Sequence, residues 1–168
     1  TVAWGFYLAD VYNVDIINNS WGYPETEIGV TCNSQSSCES ALNTANNYEY
    51  TYYYYQRIVT QQNAMMVWAA GNDGLSNPSA LNGACIYDSL VRENCVIVAA
   101  LGLDGKIATL DNTQDVYSSN KCGIAADYCI TAPGSVKSSY HSNSSSYANL
   151  QGTSMAAPMV SGGLALIK

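Results

Sequence analysis

Four short apolar runs, each ended by asparagine, glycine or proline, are the feature that most restricts how this chain can fold. They read VDIIN at residues 14–18, AMMVWAA at 64–70, CVIVAAL at 95–101 and CITA at 129–132. Nearly continuous apolar runs of this length are typical of strands covered on both faces, as in a parallel sheet. Helical patterns at about 3–12 and 45–62 alternate with these runs. The sequence therefore predicts an α/β fold with a mostly parallel central sheet flanked by helices.

A tyrosine-rich stretch at residues 48–55 fits this pattern least well. Its alternating tyrosines favour a strand, and they could also form a platform on which carbohydrates stack. A parallel connection between the first two strands needs a crossover, however. We therefore assign the stretch to an amphipathic helix with an aromatic inner face. Two polar segments, 117–120 and 138–147, are predicted to be loops.

The composition limits the classes of partner. Among 168 residues, Lys plus Arg number 6 and Asp plus Glu number 13, which gives a formal net charge of −7. So few scattered cations cannot build a basic stripe, and we expect no nucleic-acid partner. No apolar run approaches the roughly 20 residues of a transmembrane helix, so no membrane span is predicted in this segment.

The cysteines indicate the compartment. They form three close pairs along the chain: Cys32 and Cys38, Cys85 and Cys95, Cys122 and Cys129. No C-x-x-C occurs and His141 is the single histidine, so zinc binding is disfavoured. Local disulfides are favoured over free buried thiols, although spacing alone leaves their connectivity open. Disulfides imply an oxidising compartment, and we therefore expect a secreted or cell-surface protein.

The candidate chemistry lies near the end of the chain. Residues 152–158 read GTSMAAP and open a small-residue stretch that predicts a helix. A serine in the first turn, here Ser154, lies beside unpaired backbone N–H groups and the positive end of the helix dipole, which stabilise a developing oxyanion. Pro158 is expected close enough to the helix start for its missing N–H to matter little. Taken alone, the motif could equally be an N-cap formed by Thr153 or Ser154.

Two further segments follow predicted strands. Asn72 comes after the second strand, in the sequence AAGND. The first strand is followed by Ser20, Trp21 and Gly22. Open α/β sheets bind ligands outside the carboxyl ends of their strands. We therefore expect a hydroxyl, an amide donor and an edge for an extended peptide to face one another, with Asn72 and the Ser154 N–H as oxyanion donors.

These motifs, together with CITAPG at 129–134, make the chain resemble the C-terminal part of a subtilisin-like serine protease catalytic domain. GTSMAxP is specific by itself, and the motifs occur in the family's order over nearly all 168 residues. The resemblance implies a serine endopeptidase of peptide or protein substrates, with Ser154 as the nucleophile and Asn72 as an oxyanion donor. It also implies two sets of substrate-binding residues: Ser20, Trp21 and Gly22, which would pair with the substrate backbone, and Ala69, Ala70 and Gly71, which would form the facing wall of the pocket.

One part of the family's pattern is missing. The D-[ST]-G and H-G-T-H motifs, which carry the catalytic Asp and His, would precede residue 1, and neither occurs in the chain. His141 lies in a polar stretch where the family has no catalytic histidine, so we expect a solvated loop residue. Residues 1–168 are therefore expected to be a partial peptidase domain. Alone it would be nearly inactive and poorly stable, because it needs the missing N-terminal part of its own domain.

Two alternatives stay open. The nucleophile elbow of another serine hydrolase would need a buried strand before Ser154 and a histidine after it, but residues 145–151 are polar and no histidine follows. The other alternative is a catalytically inactive, secreted binding domain with the subtilase fold, which an authentic N-terminus at Thr1 would favour.

The resemblance leaves the cofactors and the source of the chain only partly defined. It implies no cofactor, although structural calcium is possible in the full-length protein; the loops show no dense carboxylate cluster of the kind calcium prefers. The cysteine pairs and the NNSWG sequence at 18–22 resemble those of secreted or autotransporter subtilases of bacteria.

Overall fold

The computed structural model describes residues 2–22, 32–49, 51–111, 115–141 and 145–167. Its helices are α1 (Val2–Tyr12), α2 (Gln35–Glu49), α3 (Thr51–Gln62), α4 (Ala80–Ala84) and α5 (Thr153–Ile167). Its strands are β1 (Ile16–Asn19), β2 (Met65–Ala69), β3 (Cys95–Leu101), β4 (Cys129–Pro133), β5 (Ser135–Ser139) and β6 (Tyr147–Gln151). Short 3₁₀ helices occupy Cys85–Tyr87, Arg92–Asn94 and Gly123–Tyr128.

The central sheet is parallel, with the strand order β1-β2-β3-β4. Met66 of β2 is in register with Cys95 of β3, and Ile97 of β3 with Cys129 of β4. The predicted α/β fold with a mostly parallel sheet is confirmed, and β3 has the predicted bounds. Within the described residues β1 pairs only with β2, so it is an edge strand.

Apolar side chains cover both faces of the sheet. Along β2, Met66 and Trp68 pack into the core beneath α1 and α3, while Val67 and Ala69 point to the other face. On that second face α5 presents the fully buried small side chains of residues 156 and 157 to the sheet. Strands that are apolar on both faces must be covered twice, which explains why the sequence shows continuous runs rather than alternation.

The tyrosine-rich stretch is helical, as predicted, in the part that the structure describes. Tyr50 lies outside the described residues, and α3 begins directly after it. The Tyr55 ring is buried and lies 5.9 Å from the Trp68 ring, whereas Tyr53 is 52% exposed. The predicted aromatic inner face is therefore observed for Tyr55, and burial raises the pKa of its phenol. The helical region also starts earlier than predicted, because α2 already begins at Gln35.

The predicted loop at 138–147 is partly wrong. Strands β5 and β6 form an antiparallel hairpin in which Ser139 pairs with Tyr147, and residues 142–144 lie outside the described part. Because the hairpin is half-exposed, polar side chains are tolerated along both strands. Its sequence therefore lacks the continuous apolar run that is typical of a buried strand. A strand thus does precede Ser154, but it belongs to this exposed ribbon, as a nucleophile elbow does not allow.

The three predicted local disulfides are confirmed as Cys32–Cys38, Cys85–Cys95 and Cys122–Cys129. In the described ranges, no group of three or more His, Cys, Asp or Glu side chains is placed to hold a metal ion. No helix among the described residues is both long and apolar enough to cross a membrane.

Candidate active site

A cleft opens where β1 and β2 end and α5 begins. It is lined by Ser20, Trp21, Gly22, Ala69, Gly71, Asn72, Asp73, Ser79, Asn82, Thr153 and Ser154. The structure therefore brings together the segments that the sequence predicted to meet. Ala70 is the exception: it is fully buried in the core below the cleft and does not line it.

Ser154 is the second residue of α5, so it lies in the first helical turn as predicted. Its hydroxyl donates to the Ser20 carbonyl at 3.0 Å, and the Ser20 hydroxyl donates to the Ser154 carbonyl at 2.9 Å. The Ser154 backbone N–H lies in the first turn, where N–H groups have no hydrogen-bond partner inside the helix. A serine hydroxyl and a free N–H group therefore stand next to each other at the positive end of the helix dipole.

Pro158 explains why the Ser154 carbonyl is available. In an α-helix this carbonyl would accept from the N–H four residues on, and proline has none. The expectation that Pro158 lies where a missing N–H matters little is therefore wrong, since α5 starts at Thr153 and places proline inside the helix. The lost helical bond is replaced by the one from Ser20.

Asn72 lies beside the start of α5, in the loop after β2. Its Oδ1 accepts from the Thr153 N–H at 2.9 Å and from the Thr153 hydroxyl at 3.1 Å. An N–H can only donate, so the oxygen must face Thr153, and the amide nitrogen Nδ2 is directed elsewhere. Nδ2 donates to no described residue. Thr153 therefore fixes the orientation of the Asn72 amide. The two N–H groups of Nδ2 are left without a described partner at the cleft.

A buried asparagine that the sequence analysis missed supports this loop. Asn120 is fully buried, and its Oδ1 accepts from the backbone N–H groups of Asp73 and Leu75 at 3.0 and 2.9 Å. Its Nδ2 donates to the Ala70 carbonyl at 3.0 Å. Gly71 has a positive φ of 110°, and a Cβ there would collide with the Asn120 and Ser79 side chains. Hydrogen bonds to Asn120 and close packing at Gly71 thus fix the loop that carries Asn72.

Asn82, also missed, bridges the two walls of the cleft. It is 1% exposed, and its Nδ2 donates to the Trp21 carbonyl at 3.2 Å and to the Ala69 carbonyl at 2.6 Å. A Cβ at Gly22 would come within 2.8 Å of this amide, so the close approach requires glycine. The signal that could have found it is an amide placed among small apolar residues in ALNGA, residues 80–84.

The remaining residues of interest lie around the cleft or away from it. The Trp21 ring packs against the Trp68 ring, with their centroids 5.3 Å apart, which fixes the wall that Trp21 forms. His141 is exposed, packs at a tilt against Tyr140 with a centroid distance of 4.2 Å, and does not line the cleft. None of the described residues that line the cleft is a histidine, so the lining offers Ser154 no histidine base.

A family comparison assigns the fold. The model of the Subtilase family matches residues 5–168. The chain belongs to the subtilase family. Among solved structures, this subtilase chain is similar to the prenylagaramide maturation protease PagA, with a TM-score of 0.65 and 20% identity over 99% of this chain and 48% of that one. At this identity the likeness shows the fold alone.

Curated relatives of the subtilase chain include Serotype-specific antigen 1 of Mannheimia haemolytica. That protein is 28% identical over 112 residues, which cover 63% of this chain and 11% of the relative. The Neisserial autotransporter lipoprotein NalP of Neisseria meningitidis serogroup B is 26% identical over 115 residues, which cover 65% of this chain and 10% of the relative. The chain thus spans about a tenth of the length of these curated relatives and about half of the solved structure.

Proposed function

We propose that the chain contributes the nucleophile and the oxyanion donors of a serine endopeptidase. The observation that carries the proposal is the geometry at the start of α5. There the Ser154 hydroxyl and N–H stand beside the Asn72 amide, whose orientation Thr153 sets at 2.9 and 3.1 Å. Membership of the subtilase family supports the same assignment.

In the proposed reaction Ser154 Oγ bonds to the carbonyl carbon of the peptide, and the electron pair of the carbonyl moves onto its oxygen. Asn72 Nδ2 and the Ser154 N–H donate to that oxyanion, a stabilisation that is greatest in the transition state. The carbonyl then re-forms as the C–N bond breaks, and the leaving amine takes the proton that Ser154 gave up to the base. Water hydrolyses the resulting acyl-enzyme, which releases the acid and restores the Ser154 hydroxyl. Donors that are fixed before the reaction need no reorganisation when the charge develops.

The proton of Ser154 needs a base, because a serine hydroxyl is a weak nucleophile on its own. We propose that a histidine and an aspartate come from a part of the same protein outside residues 1–168. At rest the hydroxyl donates to the Ser20 carbonyl. A base within hydrogen-bond reach would draw the hydroxyl proton away from this carbonyl, which lies on the segment proposed to hold the substrate.

Ser20, Trp21 and Gly22 are proposed to bind an extended peptide as an added strand. Ala69 and Gly71 would face them across the pocket for the residue before the scissile bond, with Ala70 supporting this wall from the core. We also propose a secreted or cell-surface location. It is supported by the disulfides and by the names of the two curated relatives, an antigen and an autotransporter lipoprotein.

The experiment that tests the function is covalent labelling of the full-length protein with a fluorophosphonate, together with hydrolysis of a peptide mixture. Both should disappear in Ser154→Ala. Both should persist in the matched variant Ser161→Ala, which removes a hydroxyl from the same helix outside the cleft. Labelling that survives Ser154→Ala would show that another residue is the nucleophile. Peptide binding without labelling or hydrolysis would favour the inactive binding domain.

A further inference from the structure

We propose that the cleft accepts a lysine or arginine side chain immediately before the scissile bond. This inference rests on the proposed endopeptidase function and adds a substrate class to it. Two features of the lining carry it: the unpaired carboxylate of Asp73 and the buried amide oxygen of Asn82. They lie on different elements, the loop after β2 and the short helix α4.

Asp73 is the only ionisable side chain in the lining among the described residues. Its backbone is fixed, since its N–H donates to Asn120 Oδ1 at 3.0 Å and it bridges to Ser118. Its carboxylate forms neither an ion pair nor a hydrogen bond with any described residue; the ion pairs in that part of the chain use other acids. The Asp73 side chain is exposed, so the cleft has a negatively charged group on a fixed backbone at its rim, and no described lining residue is a cation.

Asn82 adds a hydrogen-bond acceptor without adding a donor. Its Nδ2 is committed to the Trp21 and Ala69 carbonyls, so the amide cannot turn over to offer an N–H to a substrate. Its Oδ1 is buried and accepts no hydrogen bond from the described residues. Buried polar atoms are nearly always paired, so an unpaired acceptor in a cleft lining points to a donor that arrives with the ligand.

The walls suit a long aliphatic stem with a polar end. Trp21 and Ala69 supply apolar surface, and Gly22 and Gly71 add no side chain to the lining. Lysine and arginine bury such a stem while their cationic heads donate hydrogen bonds. A leucine would leave Asn82 Oδ1 unpaired, and a glutamate would meet Asp73 with like charge. The order of preference is therefore basic, then apolar, then acidic.

The inference is tested on the full-length protein with matched peptide substrates that differ only in the residue before the scissile bond. Lysine is compared with norleucine, which has a similar stem but no ammonium group, and with glutamate. We expect kcat/KM for lysine to exceed that for norleucine by about tenfold or more, because charge and donor capacity are both matched. Asp73→Asn should reduce this ratio several-fold, and Asn82→Leu should reduce it as well.

The control Asp127→Asn removes the same charge from an exposed position that does not line the cleft, and it should leave the lysine preference unchanged. An equal loss in Asp127→Asn and Asp73→Asn would mean that net charge alone selects the substrate, and would overturn the inference. A lysine-to-norleucine ratio near one would also overturn it.

A binding measurement separates this inference from the proposed function. Peptides that end in lysine or norleucine are titrated calorimetrically into the full-length Ser154→Ala variant, which needs no turnover. Absence of hydrolysis by the unmodified protein would refute the endopeptidase function. Equal affinities for the two peptides would refute the lysine or arginine preference even if hydrolysis is observed, whereas tighter binding of the lysine peptide would support it.

Discussion

Ser20 and Ser154 exchange two hydrogen bonds across the mouth of the cleft, each serine donating its hydroxyl to the other's carbonyl at 3.0 and 2.9 Å. One bond stands in for a helical bond that Pro158 cannot make. The other holds the hydroxyl proposed to attack the substrate. The segment after β1 and the first turn of α5 are therefore fixed to each other by the same pair of residues that the proposed reaction uses.

We expect Ser20→Ala to lower the free energy of unfolding of the full-length protein by about 1 kcal/mol, because it leaves the Ser154 carbonyl without a partner. In a Pro158→Ala background the loss should be smaller, since alanine restores the N–H that this carbonyl accepts from. Urea denaturation of the double-mutant cycle measures the difference. The control is Ser139→Ala on the exposed strand β5, which should have little effect. Equal losses in both backgrounds would contradict the role given to Pro158.

Asn72→Ala should lower kcat on a peptide substrate by about 10²–10³, the range observed when one oxyanion donor is removed from a subtilisin, a member of the same family. KM should change little, because the donor acts mainly in the transition state. The comparison variant is Thr153→Val, which keeps the N–H to Asn72 Oδ1 but loses the hydroxyl contact. It should lower kcat less than Asn72→Ala. A rise in KM at constant kcat would instead assign Asn72 to ground-state binding.

Asn120→Ala should destabilise the full-length protein by about 3 kcal/mol, since it removes a fully buried amide and leaves the backbone N–H groups of Asp73 and Leu75 and the Ala70 carbonyl without their partner. The same change should lower kcat, because the loop that holds Asn72 loses its support. The matched variant is Asn94→Ala, which removes a single hydrogen bond to Asn63 near the surface and should cost no more than about 1 kcal/mol. Denaturant unfolding distinguishes the two. A loss at Asn120 no greater than that at Asn94 would show that water replaces the amide.

Tyr117 gives a prediction at alkaline pH. Burial raises the pKa of its phenol to about 12, and the negative charge of Asp115 adds to the effect. Since the folded-state pKa lies above the unfolded value of about 10, the unfolded state loses its proton first. The stability that Tyr117 contributes is thus complete below about pH 10 and falls as the pH rises towards 12.

Tyr117→Phe should remove this part of the alkaline loss, and the difference between the two proteins should grow between about pH 10 and 12. At neutral pH the variant should be close to neutral, because the hydroxyl is buried without a hydrogen bond to any described residue. Unfolding free energies measured at intervals over this pH range provide the test. Parallel curves for the two proteins would mean that the phenol titrates normally in the folded state.

Replacing both Cys85 and Cys95 by alanine should lower the free energy of unfolding by about 2–4 kcal/mol, in the chain-entropy account of disulfide stabilisation. Removal of the Cys32–Cys38 bridge should lower it somewhat less, since that bridge spans 6 residues rather than 10. Denaturation of the two double variants provides the comparison. The opposite order would indicate that packing around the half-cystines, not loop closure, sets the effect.

The sheet could be predicted because a strand that is buried on both faces is visible in the sequence as a continuous apolar run. Runs such as residues 64–70 are apolar throughout, since both faces of β2 are covered, and they end at the polar turn where the strand ends. The strands β5 and β6 of the hairpin contain no such apolar run. The hairpin is half-exposed, and its serines, asparagine and tyrosine are the residues that loops also use.

The site could be predicted only where a motif carries it. Ser154 and Asn72 lie in recognisable stretches, and the structure brings them to one cleft. Asn82 and Asn120 do their work through contacts with chain segments that are distant in sequence: Asn82 bonds to Trp21, 61 residues away, and Asn120 to Ala70, 50 residues away. The small apolar neighbours of Asn82 in ALNGA indicate burial but not its partners, and the polar neighbours of Asn120 indicate neither, so only the folded structure shows that the two asparagines hold the walls and the loop.

The pairing of Ser20 with Ser154 joins positions 134 residues apart. We expect such a closure to form late in folding, because the entropy of the intervening chain must be lost before the contact forms. A molecule that has folded only through β3 lacks both Asn120, which supports the loop of Asn72, and the serine beside that loop. Under the proposed function, the ability to cut peptides would then arise in the last step of assembly, and a partly folded chain would have no means of digesting its neighbours.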